Sequence, residues 1–194
     1  MQDLDTKPIA LKEWASAVRA LESGEQIFIM RKGGIVEETR DFQVESDAFF
    51  LYPTYEHQRR ELLKDQYRSV IDQTLEDWSP EDSNVKISTY AELVEDIEIS
   101  DQDQLNKLYP FHIWTENFTE ERLKWKRKNP LHIMLLRVYK LDSPVEVPIE
   151  QAYLGCKSWI QIQSEQLEDL SMTPVLADEA FHAQIEEIKR HLAL

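Results

Sequence analysis

Several short stretches of the sequence place reactive or charged side chains beside turns. The first is RKGG at residues 31–34, which uses two of only four glycines in the chain. Backbone N–H groups in a glycine turn can form a concave anion site, and Arg31 and Lys32 would add positive charge to it. The alternative is a hairpin turn with solvated cations, because Gly33 and Gly34 tolerate positive φ. The stretch lacks the GxxxxGK[ST] and GxGxxG patterns of nucleotide-binding loops.

The second stretch is LYPTYEHQ at residues 51–58, whose hydrogen-bonding side chains include the ligand-binding candidates Tyr52, His57 and Gln58, and Tyr55. We expect a helix to begin here, with His57 in its first turn. The positive end of the helix dipole would favour neutral imidazole, which can accept a proton. His57 is therefore a candidate general base, with Tyr55 beside it. The alternative is that these side chains only cap the helix and pin it to the sheet.

The third stretch is GCKSWI at residues 155–160. A cation beside a thiol favours the thiolate, so Cys156 next to Lys157 is a candidate nucleophile. Trp159 would be core or the wall of a pocket. The alternative for Cys156 is a small side chain that serves packing alone.

The fourth stretch is RLKWKRK at residues 122–128, in which Trp125 is interleaved with five cations. This composition suits phosphates and a stacked base. The alternative is an exposed helix whose tryptophan packs inward.

Three further residues complete the ligand-binding candidates. His112 and Trp114 belong to FHIW at residues 111–114, and Arg137 lies inside a strongly apolar run, where it needs an anionic partner. No HxxxH or HExxH spacing joins the histidines, so we predict no metal site and no cofactor.

The composition limits the class of protein. With 194 residues, 42% apolar and 30% charged, the chain is long enough for one globular domain with a sizeable core. It has no apolar run long enough to cross a bilayer, no signal-peptide pattern at its start and a single cysteine. We therefore expect a cytoplasmic protein with no membrane partner. The sequence leaves its oligomeric state open.

The charge is unevenly distributed. The net charge is −15, which opposes non-specific attraction to nucleic acid. Residues 72–103 hold eleven acids and one cation, whereas residues 122–140 hold seven cations and no acid. Any contact with a polyanion should therefore be local, and the acidic stretch could instead dock on a basic protein partner.

Apolar periodicity and turn signals predict the elements that position these residues. We expect helices over residues 9–24, 55–76 with Thr54 as N-cap, 100–110 with Ser100 as N-cap, and 120–128 with Thr119 as N-cap, and a terminal helix that begins at Thr173 and Pro174. We expect strands over residues 26–30, from residue 35, and over 49–52, 85–87, 131–141 and 155–163. Residues 78–84 read as a loop, and residues 93–99 are ambiguous between strand and helix.

These elements predict an α+β fold. It has a mostly antiparallel, strongly curved sheet, or a small barrel, of about five to seven strands, flanked by three or more helices. We expect an N-terminal tail at residues 1–8, one domain at 9–163, and a helical extension at 164–194 that packs on it.

Six ordered blocks resemble a bacterial family known only as domain of unknown function 1802. They are ALKEWA (10–15), RKGGI (31–35), LYPTYEHQ (51–58), FHIW (111–114), LRVYKL (136–141) and GCKSWI (155–160). The family has no assigned activity, so the resemblance implies no catalytic residue. Some relatives occur with an Mrr-type restriction-endonuclease domain, which implies by association a role near foreign-DNA processing.

Nuclease activity of this chain is not expected. A restriction-type nuclease needs an acid and an (Asp/Glu)-x-Lys pair on a strand, and the Asp5-Thr6-Lys7 triplet lies in the predicted tail. The leading hypothesis is a non-catalytic binding module for a phosphate-bearing ligand or nucleic acid. The alternatives are a small hydrolase or transferase with His57 as base, and an acidic protein-interaction or nucleic-acid-mimic protein.

Overall fold

The structure is a computed structural model that describes residues 8–32, 44–125 and 127–194. Within these ranges seven strands form one mixed sheet, flanked by five α-helices. The strands are β1 (Ile9–Trp14), β2 (Phe28–Arg31), β3 (Ala48–Thr54), β4 (Asn84–Ile99), β5 (Leu131–Pro148), β6 (Trp159–Gln161) and β7 (Met172–Pro174). The helices are α1 (Ala15–Glu22), α2 (Arg68–Glu76), α3 (Gln102–Asn106), α4 (Glu116–Lys124) and α5 (Asp178–His191). The predicted α+β class is confirmed.

The strand order is β2-β5-β4-β3-β1-β6, with β7 paired to β5. Each pair is antiparallel except β1 and β3, so the predicted mostly antiparallel sheet is confirmed. The longest ladder joins β4 to β5 and has two register shifts, which bend the pair. The sheet is open within the described ranges, so the barrel alternative is wrong there.

The sheet curls until its two edges approach each other. Arg31 ends β2, at one end of the strand order, yet its Nη1 donates to the carbonyl of Lys12 in β1 at 2.9 Å. Its Nη2 donates to Ser158 Oγ, just before β6 at the other edge, at 2.6 Å. Side-chain hydrogen bonds from one arginine therefore hold together edges that backbone pairing does not join.

Helices cover the sheet and bury its apolar positions. Val18 and Leu21 of α1 pack with residues of β1, β3 and β5 such as Leu51. Phe181 and Ile185 of α5 join a second cluster that includes residues of β2, β5 and α4. None of the helices in the described ranges is long and apolar enough to cross a bilayer.

The predicted helix over residues 9–24 is wrong in its first half. Residues 9–14 form β1, whose backbone pairs with β3 on one side and β6 on the other. Leu11 and Trp14 match helical spacing, but both are buried in the sheet and its packing. Pairing along both edges outweighs the local pattern, and the helix begins only at Ala15.

The predicted helix over residues 55–76 is also wrong in its first half, and Thr54 ends β3 rather than capping a helix. Leu63 pairs in an isolated bridge with Trp114, Lys64 N–H donates to the Ile113 carbonyl, and Thr115 N–H donates to the Leu62 carbonyl. This pairing holds Leu63 and Lys64 extended between two 3₁₀ turns, and α2 begins at Arg68.

The boundaries of three other helices are shifted. Thr115, not Thr119, caps α4 by accepting the N–H of Phe118 at 3.3 Å. Asp101, not Ser100, caps α3, which ends at Asn106. Thr173 and Pro174 pair with β5 as β7, so the last helix begins at Asp178.

The strand predictions are closer. The predicted strands at 26–30, 49–52, 85–87 and 131–141 correspond to β2, β3, β4 and β5, and the 93–99 segment is strand. The strand predicted at 155–163 is shorter, Trp159–Gln161. The strand expected from residue 35 lies outside the described residues.

Candidate ligand-binding cleft

A cleft of about 940 Å³ opens where β1, β3 and α4 end and β4 begins. Loops at residues 55–59, 77–83 and 149–157 form its walls. Because β1 and β3 are parallel and in register, Lys12 lies beside Tyr52 and Trp14 beside Thr54. Side chains at the ends of both strands therefore line the same opening of the cleft.

A buried ion pair lies at the base of the cleft. Arg31 Nη1 lies 3.5 Å from Glu13 Oε2, and both side chains are at least nine-tenths buried. Glu13 also accepts the N–H of Trp14 through Oε1 at 2.8 Å, close to the N-terminus of α1, where a negative charge is favourable. The carboxylate is thus fixed by a cation and a helix end.

A second guanidinium lies close to the first. Arg122 of α4 also lines the cleft, half-buried, with its Cζ 4.8 Å from the centre of the Phe118 ring. Burial, and then the positive charge of Arg31, lowers the pKa of Arg122 to about 10. Arg122 makes no hydrogen bond or ion pair with any residue that the structure describes. Glu13 and Glu121 oppose the lowering of the Arg122 pKa, and Glu121 is itself paired with Arg59 at 3.2 Å. The guanidinium groups of Arg31, Arg59 and Arg122 therefore share two nearby carboxylates.

Two lysines extend this positive region. Lys12 donates to the carbonyl of Gly155 at 3.0 Å and lies 5.8 Å from the centre of the Tyr52 ring. Lys157 donates to the carbonyl of Ala152 at 3.1 Å. Burial, and then the charge of Lys157, lowers the pKa of Lys12. The two ammonium groups are thus held near each other by backbone acceptors, and neither forms an ion pair with a described residue.

Aromatic rings also line the cleft. Tyr55 and Trp78 stack with centroids 5.2 Å apart and planes 12° apart. Burial raises the pKa of Tyr55, with Arg19 opposing and Asp82 adding to the effect. Burial, with Tyr153 and Tyr55 nearby, raises the pKa of Tyr52 to about 12, so its hydroxyl stays protonated at neutral pH.

His57 and Cys156 both line the cleft, and both are exposed. His57 lies in a turn rather than in the first turn of a helix, so the predicted effect of the helix dipole on its ring is wrong. In the described part of the chain no hydrogen bond orients its imidazole. The two side chains share a cleft in which no residue that the structure describes aligns them for catalysis.

Two predicted ligand-binding residues have structural partners instead. Gln58 Oε1 accepts the N–H of Ser16 in the first turn of α1 at 2.8 Å, and its amide donates to Thr74 in α2 at 3.1 Å. Lys32 is buried and its ammonium donates to the carbonyl of Leu123 near the end of α4. Burial lowers the pKa of Lys32. Neither residue lines the cleft.

Four other candidates lie away from the cleft, and three of them are His112, Trp114 and Trp159. His112 and Trp114 are buried in the core, where Nδ1 of His112 accepts the N–H of Trp114 at 3.1 Å. Burial lowers the pKa of His112 to about 3. Trp159 packs edge-on against Phe49, with ring centroids 5.1 Å apart.

The fourth is Arg137, whose predicted anionic partner is present. It donates to Asp178 Oδ1 and to the Leu176 carbonyl, both at 2.8 Å, and its Cζ lies 4.7 Å from the centre of the Phe181 ring. Arg137 therefore fastens the start of α5 to the sheet.

The glycine turn of the RKGG stretch cannot be placed, because Gly33 and Gly34 lie outside the described residues. Among the residues that are described, no group of three or more His, Cys, Asp or Glu side chains could hold a metal ion.

The acids of residues 72–103 are spread over α2, the following loop, β4 and α3. Several have cationic partners: Asp72 pairs with Arg60, Glu95 with Lys189, and Asp96 with His132. They do not form one continuous surface on a single element.

Sequence patterns did not single out several residues of the cleft, among them Lys12, Glu13 and Trp78, and they included Arg122 only as part of a basic stretch. Lys12 and Glu13 fell in a predicted helix, and Trp78 in a loop. Arg122 belonged to the basic stretch at 122–128, whose interleaved tryptophan was the available signal. Sequence spacing could not show that β1, α4 and the loop at residues 77–83 line the same cleft.

The fold and its cleft define an open-sheet α+β domain whose cleft is lined by charged side chains of both signs and by aromatic rings. The chain belongs to the family described as Domain of unknown function (DUF1802), whose model matches residues 10–187. The resemblance of the six sequence blocks is thereby confirmed.

Among solved structures the chain is similar to one titled "Crystal structure of ASCH from Zymomonas mobilis". The two share 14% sequence identity with a TM-score of 0.47, over 86% of this chain and 98% of that chain. No curated protein matches the chain.

Proposed function

We propose that the protein is a non-catalytic binding module that takes a phosphate-bearing ligand into the cleft. The observation that carries the proposal is Arg122, a half-buried guanidinium without a hydrogen-bonding partner in the described residues, next to a second guanidinium. Unpaired charge in a partly buried site is costly, and a phosphate oxygen is the acceptor that best offsets it.

The local charge supports a phosphate rather than a neutral ligand. Glu13 pairs with Arg31 and Glu121 with Arg59, which leaves Arg122 without an ion-pair partner among the described residues. Lys12 and Lys157 add two more charges nearby. A bound phosphate would be attracted by Arg122 and by Arg31, Lys12 and Lys157 in a region of reduced dielectric constant.

The aromatic lining supports a ligand that also carries a ring. Tyr55 and Trp78 present a stacked pair of rings in the same cleft, and base-aromatic stacking contributes about 1–3 kcal/mol for each base. A nucleotide, with phosphate and base on one molecule, would use both parts of the lining. The association with restriction or foreign-DNA processing remains a prediction.

Binding is favoured over catalysis by the state of the candidate base. His57 is exposed and no described residue orients it, whereas a general base needs a fixed position relative to the proton it removes. The hydrolase or transferase alternative remains a prediction that activity assays on the His57→Gln variant would test.

Calorimetric titration at low salt tests the proposal. Nucleoside monophosphates should bind, their parent nucleosides should bind at least tenfold more weakly, and inorganic phosphate should compete. Arg122→Gln should weaken nucleotide binding on the order of tenfold to a hundredfold, the range of one charge-assisted hydrogen bond. Lys107→Gln is the control, because Lys107 is an exposed cation outside the cleft. Equal affinity for nucleoside and nucleotide, or an Arg122 variant that binds like the control, would overturn the proposal.

A further inference from the structure

We propose that the natural ligand is a single-stranded nucleic acid, and that its chain leaves the cleft along the C-terminal end of α4. This inference rests on the proposed function and names the class of ligand. It is carried by the residues that follow Arg122, which continue the positive surface beyond the cleft.

The end of α4 leads from the inside of the cleft to its outside. Arg122 and Trp125 line the cleft, whereas Arg127 and Lys128 lie in the turn just beyond it and are exposed. Trp125 is 41% exposed, an unusual exposure for so large an apolar ring. A mononucleotide seated against Arg122 would not use Arg127 or Lys128. The second and third phosphates of a longer strand would contact these two residues.

Residues 127 and 128 are not engaged elsewhere. Neither forms a hydrogen bond or an ion pair with the described part of the chain, whereas Lys124 is paired with Glu120 at 3.6 Å. Residues 122–140 hold no acid at all. In a chain of net charge −15, this is a local surface that would attract rather than repel successive phosphates.

The part of the cleft lined by Tyr55 and Trp78 does not offer such an exit. The acids Glu56, Asp77 and Asp82 line the cleft there, and Asp82 is close enough to raise the pKa of Tyr55 together with burial. Near Arg122, by contrast, the acids Glu13 and Glu121 are paired with Arg31 and Arg59. Carboxylates repel a phosphate backbone, but they can accept hydrogen bonds from base amino groups. The base of the terminal nucleotide would therefore point toward Tyr55 and Trp78, and the strand would continue past Trp125.

The aromatic side chain at the exit favours a single strand over a duplex. In an unpaired strand each base exposes a face that can stack on an aromatic ring, whereas bases in a duplex are stacked on one another. Trp125 lies between the two groups of cations along the sequence, where a second base would follow the first. We expect DNA and RNA to share this chemistry.

The experiment compares thymidine monophosphate with oligothymidylates and oligouridylates of four and eight nucleotides, and with a DNA duplex, by fluorescence anisotropy or calorimetry over a range of salt concentrations. The variant is Arg127→Gln/Lys128→Gln, and the matched control is Lys107→Gln/Arg190→Gln, which removes two exposed cations outside the cleft. All four positions are exposed, so these substitutions should leave the fold unchanged.

The octanucleotides should bind at least tenfold more tightly than the mononucleotide and than the duplex. In the Arg127/Lys128 variant the slope of log affinity against log salt should fall by about 1.4 for the octanucleotides, because each phosphate contact to a single strand contributes about 0.7. Mononucleotide binding should not change, and the control should match the wild type for every ligand. Comparison of the thymidylate series with the uridylate series then shows whether the protein prefers DNA or RNA.

The outcomes separate this inference from the proposed function. An octanucleotide that binds no more tightly than the mononucleotide, a duplex that binds as well as the single strand, or an unchanged salt slope in the variant would overturn the single-strand inference. In those cases mononucleotide binding that still depends on Arg122 would leave the proposed function standing. Absence of binding for mononucleotides and oligonucleotides alike would overturn both.

Discussion

Arg31 and Arg122 lie close enough for one positive charge to lower the pKa of the other group, yet only Arg31 is held by an ion pair and hydrogen bonds. Arg31 fastens the two edges of the sheet, and its charge is compensated by Glu13. Arg122 is held by the ring of Phe118 and by the helix that carries it. The first arginine therefore builds the cleft and the second is available to a ligand.

Glu13→Gln should separate these two roles. Loss of the buried carboxylate leaves Arg31 uncompensated, so the free energy of unfolding should fall by about 3 kcal/mol. The cleft gains one net positive charge, so saturating nucleotide should stabilise the variant more than it stabilises the wild type. Chemical denaturation with and without nucleotide measures both effects. The exposed Glu186→Gln substitution is the control, and an unchanged unfolding free energy for Glu13→Gln would contradict the role assigned to the ion pair.

Two glycines with positive φ should respond differently to alanine. Gly155 has φ of +91° and open space around it, so Gly155→Ala should cost about 1–2 kcal/mol from backbone strain alone. Gly24 has φ of +77°, and a Cβ there would lie 2.8 Å from Leu176 Cδ2. Gly24→Ala should cost about 1 kcal/mol more than Gly155→Ala, because the chain between β7 and α5 must also shift. Equal losses in urea denaturation would show that the contact with Leu176 is easily relieved.

The contacts between Arg137 in β5 and the start of α5 should be important for stability but not for ligand binding. Arg137→Ala removes two hydrogen bonds and the packing of the side-chain stem on Phe181, so it should cost about 2–3 kcal/mol. Asp178→Asn should cost under about 1 kcal/mol, because the Asp178 side chain is 86% exposed. Both variants should bind nucleotide like the wild type. Weakened binding in either one would mean that Arg137 reaches the ligand.

His112 should make the protein sensitive to mild acid. Its pKa is lowered from 6.5 to about 3 by burial, so the folded state keeps it neutral while the unfolded chain takes up a proton. The stability that depends on neutral His112 is present above pH 6.5 and is lost as the pH falls from 6.5 toward 3. Between pH 7 and pH 5 this loss should be about 2 kcal/mol.

The substitution His112→Gln should remove that part of the pH dependence, at the cost of lower stability at pH 7. Unfolding free energies at pH 7 and pH 5 test the prediction, with the exposed His182→Gln as the control. A His112 variant that loses as much stability between the two pH values as the wild type would contradict it.

The sequence predicted the strands better than it predicted the helices that precede the cleft. A nearly continuous apolar run such as residues 131–141 is typical of a strand that is covered on both faces, so β5 could be predicted. Residues 9–14 and Leu63 have helical spacing, but pairing with distant segments holds them extended. That pairing depends on tertiary structure, which no local pattern contains.

The candidate site could be predicted only in part, because it too depends on which segments meet in the tertiary structure. Arg31, Tyr52, Tyr55, His57, Cys156 and Lys157 do line one cleft, and each came from a polar stretch beside a turn. Gln58 and Lys32 came from the same kind of stretch and Arg137 from an apolar run, yet their partners are Ser16, Leu123 and Asp178. Residue type alone cannot separate a cation that awaits a ligand from one that already has an acceptor.

The most direct measurement of the central claim is a nitrogen-15 NMR titration that follows the arginine side-chain Nε–H resonances, assigned by Arg→Lys substitution, as a nucleoside monophosphate is added. The Nε–H signal of Arg122 should shift and saturate with the dissociation constant found by calorimetry, while that of the exposed Arg190 stays in place. If the nucleotide binds and the Arg122 signal does not move, Arg122 is not the phosphate contact and the proposed cleft is not the binding site.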